Sequence, residues 1–176
     1  MKNIFYLSFL LVLLPVLCAF EEGCSKKPAS FEGMPLTRVE VKEVALDPEA
    51  KQPVIILQDL DGTISLPIWI GSSEALSIAS SMRDLEYPRP MTHDLMKNIL
   101  DEIHVKVKKV VVTELREQTF YAVLLLTYRG KEQAVDSRPS DAIALAVRVD
   151  APIYVADKLL QSRGIRSERE KKSLSI

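Results

Sequence analysis

Cysteine is confined to the start of this 176-residue chain, where Cys18 and Cys24 are the only two. No thiol follows, which excludes a cysteine nucleophile, a thiolate zinc site and an internal disulfide framework for the body of the protein. Histidine is almost as scarce, with His93 and His104 alone, and that argues against a His-rich zinc hydrolase. Glycine is sparse, and no Gly-rich phosphate loop, GxSxG elbow, HExxH or C-x-x-C occurs. Surplus positive charge is missing as well. Residues 36–162 hold 15 Lys and Arg against 19 Asp and Glu, a net of −4. Binding to phosphate backbones through charge alone draws on a cationic surplus, so a simple nucleic-acid binder is disfavoured.

The length supports one domain with a true core. Part of the 47% hydrophobic content lies in an almost unbroken apolar run, Ile4 to Phe20, behind Lys2 and interrupted only by Ser8 and Pro15. This pattern predicts an export signal or an N-terminal anchor, at the lower length limit for a membrane span. Cys24, followed by Ser25-Lys26-Lys27-Pro28, resembles the mature start of a bacterial lipoprotein. Of the preceding Glu21-Glu22-Gly23 only the glycine fits the usual processing site. A lipidated Cys24, a cleaved secretory signal and an uncleaved anchor all stay open. The expected organisation is a leader or anchor over 1–23, a polar linker over 24–35, a folded domain over 36–162 and a frayed, mixed-charge tail over 163–176. The expected location is exported, either periplasmic or membrane-anchored.

Within the domain, residues 38–44 alternate as a half-buried strand. Two strand-like runs, 53–58 and 63–70, flank Asp59-Leu60-Asp61-Gly62, a hairpin signal. A helix over 73–85 should be capped by Ser72, with Glu74 in its first turn. A proline-stiffened linker over 86–91 leads to a second helix capped by Thr92, with an apolar face of Leu95, Ile99, Leu100 and Ile103. Strands are expected over 105–115, 119–128 and 132–137, the last two joined at Arg129-Gly130-Lys131. Pro139 opens a helix to about residue 149, a strand covers 153–155, and 157–163 form a last helical turn. Trp69 is expected to pack.

The most informative stretch is Asp136-Ser137-Arg138-Pro139-Ser140-Asp141, which turns from a strand into an apolar helix. Ser73-Glu74-Ala75-Leu76-Ser77-Ile78-Ala79 matches Ser140-Asp141-Ala142-Ile143-Ala144-Leu145-Ala146 in residue class throughout. The strand, hairpin and helix order also repeats, and the two glycine-to-acid spacings differ by one residue. These features predict an internally duplicated α+β domain, its sheet mainly antiparallel and covered by helices around a pseudo-twofold axis.

Three constellations could carry chemistry. Asp136 and Asp141 could hold a divalent cation while Arg138 grips a phosphate. The same residues equally describe a well-made helix start, with Pro139 at N1 and Asp141 at N3. His93-Asp94 could supply a general base or a nitrogen ligand, or simply ordinary helix-start contacts. Glu74 enters as the repeat partner of Asp141. His104 suits a helix C-terminus and is given no role.

RPMTHDL (89–95), TFYAVLLL (119–126), LPIWIGSSEALSIA (66–79) and above all VDSRPSDAIALAVRVDAPIYV (135–155) resemble the bifunctional nuclease family over roughly residues 37–162. Family members usually look cytoplasmic, so the leader is a departure, and Ser137 stands where alanine is more typical. The resemblance implies a homo-oligomeric α+β domain and a nuclease acting on DNA and RNA with a divalent cation, Mg²⁺ or Mn²⁺. The matching polar positions are Glu74, Arg89, His93, Asp94, Asp136, Arg138, Ser140 and Asp141. On this expectation Asp136, Asp141 and Glu74 hold the metal, and Arg89 and Arg138 bind the substrate phosphate. His93, Asp94, Arg138, Ser140 and Asp141 serve catalysis. The rival expectation is a non-catalytic oligomeric binding or scaffold domain whose polar corners are structural.

Overall fold

The computed structural model describes residue 31 and residues 33–167. The leader and Cys24 lie outside the described residues. Among the described residues no helix is long and apolar enough to cross a membrane.

The chain forms an α+β domain: β1 (Leu36–Leu46), β2 (Pro53–Asp59), β3 (Ile64–Trp69), α1 (Ser72–Met82), α2 (Thr92–Glu102), β4 (Lys106–Arg116), β5 (Thr119–Tyr128), β6 (Lys131–Ser137), α3 (Pro139–Ala146), β7 (Ile153–Ala156), α4 (Asp157–Arg163) and β8 (Ile165–Arg166). The eight strands share one sheet in the order β6-β5-β4-β7-β1-β2-β3-β8. All neighbours are antiparallel except β4 and β7, which run parallel.

The predicted duplication appears as two meanders, β1-β2-β3 and β4-β5-β6, on either side of β7. Since β7 is antiparallel to β1 and parallel to β4, the two meanders run in opposite senses. A twofold axis normal to the sheet requires that reversal. Each meander ends in a helix, α1 or α3, and these two pack on the same core cluster. Ile55, Leu57 and Leu66 from one half and Val110, Val112 and Ala122 from the other meet Ile78, Ile143 and Leu145 there, all nearly excluded from solvent. Val111 and Val123, on the opposite side of β4 and β5, are buried too. This accounts for the continuous apolar runs in these strands, where a half-exposed strand would alternate.

The β2–β3 hairpin forms as expected, and several other expectations are corrected. The β2–β3 connection closes with Gly62 N–H donating to Asp59 O at 3.0 Å, and within Asp59–Gly62 only Gly62 has positive φ (71°). The Asp59 side chain does more of the work here, accepting from Thr63 N (2.7 Å) and Ile64 N (3.0 Å). Gly71 and Met91, not Ser72 and Thr92, are the N-caps of α1 and α2. Helix α3 stops at Ala146, short of 149, and the chain turns through Asp150 at φ 52°. Trp69 is 46% exposed, with its indole N–H on Asp47 Oδ2 at 2.9 Å. Ile165 and Arg166, expected in the tail, pair with Ser65 and Ile64 as β8 because β3 would otherwise leave an open edge. In α2 only His93 is buried, and Leu95, Ile99 and Ile103 face outward.

Candidate active site

Helices α1, α2 and α3 all begin at one cleft of about 620 Å³. Ser73 and Glu74 line it from the first turn of α1, Thr92 and His93 from that of α2, and Arg138 and Asp141 from the start of α3. No side chain hydrogen-bonds as an N-cap on α1 or α3. A helix start presents the positive end of its dipole, so three of them make this cleft receptive to an anion, although a capping box closes α2 and Pro139 brings no N–H to α3.

The duplicated acids meet on one arginine. Arg138 donates through Nε to Asp141 Oδ2 (2.6 Å), and through Nη2 to both Asp141 Oδ1 (2.9 Å) and Glu74 Oε1 (2.9 Å). Asp141 first, then Glu74, holds the guanidinium above its already high ordinary range. Its Nη1 has no partner among the described residues, and the side chain is 67% exposed. Three of the five guanidinium N–H groups are therefore pinned by carboxylates, and the two on Nη1 remain for an anion. Gly71 is what brings Glu74 within reach. A β-carbon at Gly71 would run into the Glu74 carboxylate.

Behind Asp141 lies His93, buried on α2. Its Nε2 is 3.3 Å from Asp141 Oδ1 and its Nδ1 is 2.9 Å from Ser77 Oγ on α1. An ionised carboxylate only accepts, so the neutral ring is assigned its proton on Nε2, with the Ser77 hydroxyl donating to Nδ1. Asp94 points away from the cleft. It accepts from Met91 N (2.8 Å) and from Arg148 Nε (2.6 Å). Partial burial works against the Asp94 carboxylate, but Arg148 and the Met91 amide outweigh it and hold the carboxyl below the usual aspartate range.

The structure thus brings Glu74, His93, Arg138 and Asp141 together. Asp136 lines the cleft from β6 without joining them. Ser140 is buried and does not line the cleft, and Arg89 is exposed in the α1–α2 linker, also outside its lining. Among the described residues no group of three or more His, Cys, Asp and Glu comes together in a way that could hold a metal ion. Glu74 and Asp141 are instead both bonded to Arg138, so the donor set as arranged does not fit a divalent cation. Two participants were missed in the sequence, Ser77 and Arg148. Ser77 stands one turn beyond Glu74 on α1, a spacing that shares a face. Arg148 showed only as a lone charge interrupting the apolar run that follows Asp141.

A family model for the bifunctional nuclease domain matches residues 55–168. An uncharacterized protein of Mycobacterium tuberculosis is 40% identical over 127 residues, 72% of this chain and 76% of that one. Bifunctional nuclease 2 of Oryza sativa subsp. japonica is 34% identical over 122 residues, and bifunctional nuclease 1 of Arabidopsis thaliana 33% identical over 121. These matches cover 67% and 66% of this chain but only 38% and 37% of the plant proteins.

Proposed function

This chain belongs to the bifunctional nuclease domain family, and from that premise we propose that its cleft hydrolyses phosphodiester bonds in DNA, RNA or both. The observation that carries the reading is the convergence of three helix N-termini on the free edge of Arg138. Such a site offers a phosphate preorganised donors, Arg138 and the helix-start amides, although the lining itself sets Glu74, Asp136 and Asp141 against that one arginine. In the proposed reaction water attacks phosphorus, the P–O bond to one nucleoside breaks, and the departing alkoxide takes a proton from solvent. Arg138 balances the charge on the phosphoryl oxygens. Asp141, backed by His93, orients the attacking water and receives its proton.

A Mg²⁺ or Mn²⁺ requirement is proposed from the acids Asp136, Asp141 and Glu74, and it would require Arg138 to release two of them. Chelation followed by add-back of each metal tests it directly. We also propose an exported or membrane-anchored location from residues 1–24, with Cys24 as the lipidation site; the mass of the mature N-terminus tests both.

The deciding assay is cleavage of single-stranded DNA and RNA by wild type and Arg138→Ala, beside a mock purification. Wild-type cleavage that Arg138→Ala loses supports the reading, and equal cleavage by both overturns it. A second reading, a non-catalytic oligomeric scaffold, is favoured by the outward apolar ridge on α2. It predicts that Arg138→Ala changes the melting temperature with no turnover present to lose.

A further inference from the structure

Helix α2 carries His93 into the cleft, yet of its apolar residues only Leu100 packs against the core. His93 is its only buried residue, while Leu95, Ile99 and Ile103 are each about half exposed. Polar contacts therefore share in fixing its position. Arg148, just beyond α3 and with a side chain only 6% exposed, makes three hydrogen bonds, one of them to α2. It donates from Nε to Asp94 Oδ1 on α2 at 2.6 Å, from Nη1 to Ala144 O on α3 at 2.7 Å and from Nη2 to Ser77 O on α1 at 3.2 Å.

These bonds close a ring. Arg148 grips the residue after His93 and the backbone of Ser77, and the Ser77 hydroxyl in turn meets His93 Nδ1 at 2.9 Å. One buried guanidinium thus sets both the helix that carries His93 and the residue that His93 leans on. The fork is needed for this because its three nitrogens point at three different helices, which a lysine ammonium cannot reproduce. A buried charge with one carboxylate and two carbonyl partners is also strongly committed to this geometry, since losing a partner leaves an uncompensated group.

We infer that Arg148 is the positioning residue of the cleft, acting through Asp94 and Ser77 to hold His93 against Asp141. The assignment concerns geometry first, and only its kinetic consequence rests on the nuclease reading. The test uses the full-length chain in detergent, with Arg148→Gln and Arg148→Lys, and reads the imidazole nitrogens by long-range proton–nitrogen correlation. The two histidines make this tractable, since exposed His104 serves as an internal reference.

In wild type, His93 should show a single tautomer protonated at Nε2. In folded Arg148→Gln the two nitrogen shifts should collapse toward the averaged pattern of His104. The Arg148→Lys variant should fail to restore them. Against a fluorescent single-stranded oligonucleotide, kcat should fall about 100-fold, the scale expected when a reacting geometry slips by about an ångström, with KM within twofold.

Unchanged His93 resonances in folded Arg148→Gln overturn the inference, as does full restoration by lysine. If neither variant folds, Arg148 is a residue of the fold and the positioning role is likewise overturned. A His93 shift in a protein whose wild type cleaves nothing supports the positioning role and defeats the nuclease reading, so the two failures are told apart.

Discussion

His93 on α2 and Asp141 on α3, 48 positions apart in sequence, meet at 3.3 Å, and both oxygens of Asp141 also accept from Arg138. A single carboxylate thereby joins a buried imidazole to an exposed guanidinium. Replacing it by Asn keeps the shape but removes the charge that both partners use. Asp141→Asn is expected to lower cleavage by at least about 100-fold, the low end for loss of acid–base chemistry. Its melting temperature should fall by only a few degrees, since Asp141 is partly exposed. Steady-state kinetics beside a thermal melt checks this, and full activity in the variant would sink the site assignment.

Glu74 reaches Arg138 only because Gly71 lacks a side chain. Gly71 has an ordinary extended backbone, so alanine there is not strained and should leave the fold intact. The added methyl group should push the flexible carboxylate off Arg138. Gly71→Ala and Gly71→Ala with Glu74→Gln should then have equal cleavage rates, the non-additive outcome for two changes at one contact. Additive losses in a double-mutant cycle would contradict that picture.

The β4–β5 turn is made by Glu117 and Gln118, both at positive φ (48° and 61°). A two-residue hairpin loop of this kind prefers glycine or asparagine. Gln118→Gly should stabilise the fold by about 1 kcal/mol by relieving backbone strain, partly offset by a looser unfolded chain. Urea unfolding midpoints measure it, and cleavage should not change.

Acid should loosen α2. The Asp94 carboxyl lies below its ordinary value in the folded state, so its contribution is fully present above the unfolded value of 3.8 and is lost as pH falls through the folded value. Melting temperatures of wild type should decline on acidification from about pH 5 downward, and those of Asp94→Asn should decline less over the same window. Parallel curves for the two proteins would refute the assignment.

The outward ridge Leu95, Ile99 and Ile103 is the surface we propose for self-association, because exposed apolar residues one helical turn apart mark a contact face. Ile99→Glu should keep the circular dichroism spectrum and lower the mass measured by light scattering in detergent. An unchanged mass would exclude this ridge as the interface.

Element positions were largely legible in the sequence, because periodicity reports which side of a segment is apolar. β5 over 119–128 and α4 over 157–163 form at their expected bounds. The duplicated Ser-acid-Ala corner correctly announced that Glu74 and Asp141 belong together. The partner of those acids was not legible, since whether Arg138 meets Asp136, Asp141 or Glu74 depends on how α1 and α3 cross. Helix α2 forms as expected and its Leu100 packs on the core, but Leu95, Ile99 and Ile103 stay outward. An amphipathic helix has an apolar face, but its periodicity cannot say whether the same chain covers that face.

The sequence by itself determined the α+β class, the order of the strands along the chain and the presence of two related acidic helix starts, because these follow from local pattern and spacing. Only the tertiary structure decided that three helix N-termini share one cleft, that Arg138 bonds both acids, and that Arg148 and Ser77 stand behind His93. Those contacts join residues as many as 71 positions apart. They exist because the two meanders flank β7 in opposite senses and so bring α1 and α3 over one core.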